Sequence, residues 1–467
     1  MGSAALNYFL NKKVLYVIFK KLFTDSFPVP SPLKNFRLSA EPSLSWLLRP
    51  VFLLNPIPGK TSTQGDEVNG VSVFMESSEK SPFTQRKEIR PMIIQVCSEG
   101  HLEAAEKIAR RMASDPRVKS LLILGCDGNE WTKEEADPLF QSLPVPVFGG
   151  IFPQIIAEGK NLEQGTLVAG LRHPVKPFVI KDISRPETEL EDELDDLLSS
   201  ENFSSATLFV FVDGMAKRIA ELVEGLFSTL GLEPNYVGGG AGSLSFKQKP
   251  CIITPEGLLM DAAVLGLSKV SSGIGVAHGW HPVSETIKVT ASSANRVLSL
   301  NWKPAFDVYR EIIEKHGNVS FEKTTFFDIA KAYPLGIARM GAEMVVRDPI
   351  LTEENALVCV GEVPEGNYIH ILNGDMDSLI KGAVEARNTA SANYRGEEKN
   401  PVLFFMDCIS RVLFMGDDFR REIQAVEQGS VTFGALSLGE IANTGDAFLE
   451  FYNKTAVAAL LGDACEP

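Results

Sequence analysis

The sequence predicts an α/β (mixed α+β) chain in which repeated modules of strand, helix, glycine loop and strand form helix-covered mixed sheets in two tandem domains. Three observations support this. Apolar strand runs close on Asp127, Asp213 and Asp407; an amphipathic helical stretch follows each; and each helix leads to a glycine turn. The separations from Asp to glycine are 22 (127 to 149), 25 (213 to 238) and 27 residues (407 to 434), similar enough to indicate duplication. A strand, helix and strand in succession is the crossover that places strands parallel, with right-handed connections.

The elements follow in order. A strand from Met92 to Val96 leads to a helix with Ala105, Ile108, Ala109 and Met112 on one face. The first module runs from Ser120 to Leu124 through a helix to the turn at Pro144 to Gly150, and its last strand is Thr166 to Leu171. In the second, strand Leu208 to Val212 precedes a helix aligning Ile219, Leu222, Val223, Leu226 and Leu230. Its glycine turn is Val237-Gly-Gly-Gly-Ala-Gly-Ser243, followed by strand Asp261 to Leu267. The third runs from Val402 to Met406, through a helix to about Val426, to Phe433-Gly434-Ala435 and a strand Lys454 to Leu461. Between the first two modules, Glu187 to Asp196 is acidic with Leu190, Leu194, Leu197 and Leu198 at helical spacing, and is expected to be a solvated amphipathic helix.

Composition narrows the function. A chain of 467 residues, 44% hydrophobic and 22% charged, is an ordinary globular mixture long enough for more than one core. Its net charge of -15 opposes nucleic-acid binding, which relies on clustered Lys and Arg. Six dispersed cysteines form neither a CxxC pair nor a dense framework, which fits a reducing compartment. His278 and His281 have no Cys or carboxylate beside them in sequence, so no metal is expected, and no cofactor.

Residues 1–88 differ from the rest: basic, rich in proline, with no apolar run long enough to span a membrane. An irregular tether is expected; a transit peptide or a misassigned start would look similar. A cytoplasmic location follows, with organelle import through the basic arm as the alternative. Domain boundaries are expected at 89–300 and 301–462.

Glycine at a strand end lets backbone N–H groups approach a carboxylate or phosphate. Gly238, Gly239 and Gly240 are therefore candidate ligand contacts, and the three glycine turns are expected to serve one pocket between the halves. The alternative is that Gly149, Gly238 and Gly434 only permit tight packing. The Gly238 to Gly242 cluster is not a dinucleotide fingerprint, because Ser243 takes the last glycine position and no helix opens there. Walker, GxSxG and HExxH motifs do not occur in the sequence either.

Phe148-Gly-Gly150, Gly238-Gly-Gly-Ala-Gly242 and Gly275-Val-Ala-His-Gly-Trp280 with Pro282 are joined further on by Tyr333-Pro-Leu-Gly-Ile337, Val345-Val-Arg-Asp-Pro-Ile350 and Gly361-Glu-Val-Pro-Glu-Gly366. Asp407-Cys-Ile-Ser-Arg411, Gly439-Glu-Ile441 and Asn453-Lys-Thr455 complete the series. In this order they resemble the FIST (F-box and intracellular signal transduction) family over residues 90 to 462. The resemblance implies small-ligand sensing, with an amino acid as the proposed ligand class. No kinase, cyclase or chemotaxis output domain follows, and residues 1 to 80 do not read as an F-box, so a separate signalling protein is the expected partner.

Among side chains, Arg347 in an apolar run could clamp an acidic group or pair with Asp348. Arg411 lies four residues beyond a strand end, near the rim where α/β sheets bind ligands. Cys408, at a helix start, is placed for a lowered thiol pKa or for inert packing. Glu440 could meet a ligand ammonium or cap a helix. His278, Trp280 and His281 could stack on a ligand or form an ordinary strand and turn. Sensing leads; a ubiquitin-ligase-type or other scaffold adaptor, and an unfamiliar enzyme using Cys408 or Glu440, are the alternatives.

Overall fold

Three lead strands, Ser120–Cys126, Thr207–Asp213 and Val402–Cys408, are buried along their whole length, as unbroken apolar runs require. They organise the fold in the computed structural model, which describes residues 87–89, 92–339, 343–445 and 448–462. Each lead strand runs parallel to a glycine strand: Val147–Phe152, Asn235–Ala241 and Thr432–Ser437 respectively. On its other side each pairs antiparallel with a return strand, Thr166–Leu171, Ala262–Ser268 or Ala456–Gly462. Antiparallel cover strands, Met92–Cys97, Val175–Lys181 and Ser271–Ala277, flank the return strands. The triplicated module is thus present with one topology throughout.

The crossovers are helical. In the first module Thr132 and Glu135 form a reciprocal cap that starts Lys133–Gln141. The second helix, Ile219–Leu230, buries Leu222, Val223 and Leu226, and packs with the acidic helix Leu190–Leu198, whose Leu190, Leu194 and Leu198 are buried. The single helix expected in the third module is two: Ile409–Met415 and Phe419–Glu427, separated by a turn at Gly416 whose φ is 58°.

The glycine turns are a correction. Gly149, Gly238 and Gly434 lie inside strands, each opposite a lead-strand residue: Ile123, Val210 and Phe405. A Cβ there would sit 2.9, 2.6 and 2.6 Å from the carbonyl carbons of those residues and deeper still into their oxygens. Close strand packing selects glycine here, and each glycine serves its own strand pair instead of a shared pocket. The aspartate markers are also not equivalent. The register aligns Cys126, Asp213 and Cys408, which face Phe152, Ala241 and Ser437.

Beyond each glycine strand a short hairpin leaves its own module. Gln154–Ala157 and Lys160–Leu162 join the third module's sheet at Thr432–Ser437. Ile252–Thr254 and Gly257–Leu259 join the first at Val147–Phe152. Glu440–Ala442 and Glu450–Tyr452 join the second at Asn235–Ala241. The exchange is cyclic, so the modules close into a ring. The modules share an aromatic core: Phe148, Phe209, Phe404 and Phe433 meet in succession as tilted or edge-on pairs with centroids 5.6, 5.9 and 5.1 Å apart.

Between the second and third modules, an eight-stranded sheet is built from strands between His281 and Asn373. Helix Met376–Asn393, started by the Asp375 and Ser378 reciprocal cap, returns the chain and lies against the cover strand Ser271–Ala277. Ala386 and Ala390 meet Gly273 and Gly275 there, small residues that allow backbones to approach. The arm expected over 1–88 lies outside the described residues, except that Lys87 and Glu88 form a strand with Ile89. No helix among the described residues is long and apolar enough to cross a membrane.

Candidate functional site

The cyclic register identifies equivalent positions, and one junction is chemically unlike the other two. The hairpin residue opposite the position after the module glycine is Ile155 in one junction, Ile252 in another and Glu440 in the third. All three are fully buried. Ser437 likewise stands where the other modules have Phe152 and Ala241, and Asp407 where they have Gly125 and Val212. The third module has thus placed carboxylates and a hydroxyl at core positions, where burial without compensation costs several kcal/mol.

Glu440 lies beside Gly239 across the strand pair. Ser437 Oγ donates to Glu440 Oε1 at 2.7 Å, and the Thr455 N–H reaches Oε2 at 3.4 Å. The Cys408 thiol is within hydrogen-bonding reach of the same carboxyl. Burial pushes the Glu440 carboxyl well above its ordinary range, against the hydrogen bond from Ser437. Cys408 occupies the N-terminal boundary of helix Ile409–Met415 without a side-chain capping bond and is 4% exposed, and burial, with Glu440 adding to it, pushes the thiol up to about 12. The expected lowering by the helix start is therefore overturned: a seven-residue helix offers less than desolvation removes. Ser410 Oγ stands 3.1 Å from the sulfur.

The three glycines proposed as ligand contacts are enclosed by protein. Gly238 abuts Val210, Gly239 faces Gly439 O and Ser437, and Gly240 faces Leu438 O and Gly214. The Gly240 N–H bonds Gly439 O and its carbonyl accepts from Leu438, both at 2.8 Å. They bring the third module's hairpin against the second module and so position Glu440.

Arg411 is not at the rim. It is fully buried under the sheet, between Asp407 and Glu422. Nη1 donates to His278 O at 2.7 Å; Nη2 donates to Leu379 O at 3.2 Å and Glu422 Oε2 at 2.5 Å. Nε lies 2.8 Å from Asp407 Oδ1, although its N–H is not aimed along that line. Burial lowers the guanidinium pKa, but Asp407 and Glu422 outweigh it and raise the net value.

Arg347 is buried, bonds only carbonyls, one of them in the strand that pairs with Glu440–Ala442, and does not pair with Asp348. Nε donates to Glu362 O and Nη1 to Val346 O and Phe451 O, at 2.9 to 3.1 Å. Burial lowers its pKa to about 10. Asp348 instead meets Lys454, whose Nζ is 3.2 Å from Oδ2, donates to Lys331 O at 3.0 Å and lies 5.2 Å over the Trp280 ring. The Lys454 N–H reaches the Cys408 sulfur, so this residue joins the Glu440 cluster to the inserted sheet. Of the aromatic cluster, Trp280 and His278 are buried while His281 is exposed, and burial, then Arg411, lowers His278 to about 3. Neither Ser437 nor Glu422 was expected at the site. Comparing Ser437 with Phe152 and Ala241 would have singled it out, whereas Glu422 reads as an ordinary helix-surface residue.

Among the described residues no group of three His, Cys, Asp or Glu side chains is placed to share a metal ion. An uncharacterized protein of Methanocaldococcus jannaschii is 23% identical over 244 residues, covering 50% of this chain and 46% of that protein; the chain thus spans about half the length of this relative. A chorismatase crystal structure aligns over 74% of this chain and 94% of its own at 10% identity, with a TM-score of 0.29, too low to carry an argument. The FIST N domain matches residues 120–303 and the FIST C domain residues 305–443. These matches span the lead strands of all three modules, the inserted sheet and Glu440, and the chain belongs to the FIST family.

Proposed function

We propose that this chain is an intracellular small-ligand sensor that recognises an amine-bearing metabolite, such as an amino acid, beside Glu440, and signals through a separate partner protein. The observation that carries this reading is a buried carboxyl at a position that is isoleucine in both other junctions. A carboxyl held neutral by desolvation becomes a counter-ion when an ammonium arrives, and ligand binding then releases a proton. Ser437 fixes one oxygen, and Gly239 pairs with Glu440 across the strands. Sensory domains of the FIST family fit such a role.

An enzyme built on Cys408 is less well supported, because a thiol raised to about 12 supplies little thiolate near neutrality. The test is a thermal-shift panel of amino acids and primary amines on the full chain and on Glu440→Gln. Amine-dependent stabilisation of the parent and its loss in the variant are expected; at a hundred times Kd the gain is about 2.7 kcal/mol. No shift across the panel, or a shift unchanged in the variant, would overturn the proposal. Arg411→Ala is a poor probe, since it dismantles the buried ion network before it reports on a ligand.

A further inference from the structure

We propose a second site, for a small oxyanion, in the cleft beside Arg387 at the end of the third module opposite Glu440. Arg387 projects from helix Met376–Asn393 and is 7% exposed. Among the described residues no carboxylate pairs with it: Nη2 donates to Ser430 Oγ at 3.2 Å, and Nε is buried with no hydrogen-bond partner. Burial lowers its pKa. The contrast with the chain's other buried arginines is direct. Arg411 has two carboxylates and Arg347 three carbonyl contacts, whereas Arg387 has one hydroxyl. A shielded guanidinium lacking a counter-charge is costly in isolation and well matched to a carboxylate or phosphate.

The space for such a ligand exists. Arg387 lines a cleft of about 350 Å³ with Ser391, Lys399, Asn400, Ser430 and Glu398. Lys399 adds a second cation; Glu398 is the one carboxylate on the wall, leaving a net positive lining. The cleft lies where Pro401 enters the lead strand and Ser430 precedes the glycine strand, whereas Cys408 and Ser437 lie at the far ends of those strands. At roughly 3.3 Å per residue the two places are about 20 Å apart. A ligand here therefore binds independently of the Glu440 chemistry.

The experiment is calorimetric titration and thermal shift of the full chain with potassium phosphate and, separately, potassium succinate, against potassium chloride of equal ionic strength. The phosphate and succinate arms distinguish the two oxyanion sources. At least one should stabilise the parent beyond chloride. Arg387→Gln should bind about tenfold or more weakly, the loss of a charge-assisted hydrogen bond, and Lys399→Gln should weaken binding to a lesser degree. Glu440→Gln should retain the full oxyanion shift, which keeps this result separate from amine recognition. The proposal fails if neither oxyanion shifts the parent, if folded Arg387→Gln binds like the parent, or if Glu440→Gln removes the effect. Should Arg387→Gln not fold, the exposed Lys399 decides: an unchanged Kd in Lys399→Gln overturns the site.

Discussion

Replacing Glu440 by Gln should make the folded state more stable as pH rises, and the size of the effect follows from linkage. The carboxyl is fully buried and accepts from Ser437 and the Thr455 N–H. Its pKa in the folded state is raised, chiefly by burial, above the value of about 4.3 for an unfolded Glu. Below the unfolded pKa both states hold the proton and Gln is a near isostere, so the two proteins should differ by about 1 kcal/mol or less, one imperfect hydrogen bond. Between the unfolded and folded pKa the unfolded chain of the parent ionises while the folded chain does not, so the parent loses stability. That loss is at most about 1.4 kcal/mol per pH unit for one proton, and it stops once the folded-state pKa is passed. Glu440→Gln lacks the titration. Other carboxyls raised by burial, Glu422, Asp348 and Glu343, are common to both proteins and cancel in the difference. Denaturant unfolding at pH 5, 6, 7 and 8 measures it. Parallel curves for the two proteins would refute the premise that Glu440 is held neutral, and with it the counter-ion mechanism.

Gly434→Ala places a Cβ against the Phe405 carbonyl and should cost about 3 kcal/mol or more, read as a lower denaturation midpoint; a loss under about 1 kcal/mol would contradict the strand spacing. Arg411→Met leaves Asp407 and Glu422 buried without their cation and should destabilise by about 3–5 kcal/mol, whereas Arg421→Gln, an exposed ion pair, should change stability by less than about 1 kcal/mol. Cys408 should resist a maleimide at pH 7 in the native protein and react in denaturant, followed by peptide mapping; rapid native labelling would contradict its burial and raised pKa. Residues 83–300 and 301–467 expressed apart should each fail to give a cooperative transition, because their sheets take strands from one another; a cooperative 83–300 fragment would show that the exchanged hairpins are dispensable.

The modules were legible because their lead strands are unbroken apolar runs and their crossover helices keep a 3.6-residue stripe. Their register was not. Asp127, Asp213 and Asp407 are conspicuous in sequence but fall at different steps from the residue opposite each glycine, namely Ile123, Val210 and Phe405. Hairpin exchange was hidden for another reason: strands of three or four residues such as Ile252–Thr254 have no periodicity to read, and their partners are distant in sequence. At the site, residue type identified Cys408, Arg411 and Glu440, but type does not report burial. Arg411 takes its partners from its own lead strand (Asp407), from two helices (Glu422 and the Leu379 carbonyl) and from the chain after a cover strand (the His278 carbonyl), segments whose meeting no sequence period reports. Glu440, which reads as a surface carboxylate beside a glycine, became distinctive only once Ile155 and Ile252 were seen at the same register position.

That asymmetry bears on how a ring of similar modules could sense anything. A closed exchange gives three junctions, each made from a glycine strand of one module and a hairpin of the next. Two are filled by isoleucine, whose burial stabilises by about 2–3 kcal/mol each and responds to no ligand. At the third, a carboxyl and a hydroxyl replace part of that stabilisation with groups whose free energy depends on protonation and on a counter-charge, beside a thiol whose counterpart in the first module is Cys126. Because the hairpin at this junction begins at Glu440 and pairs with the second module, a change in the carboxyl's state acts on the strand contact that holds the second and third modules together. A signal generated here would therefore take the form of a changed fit between two modules, and a partner reading it need only touch the surface where those modules meet.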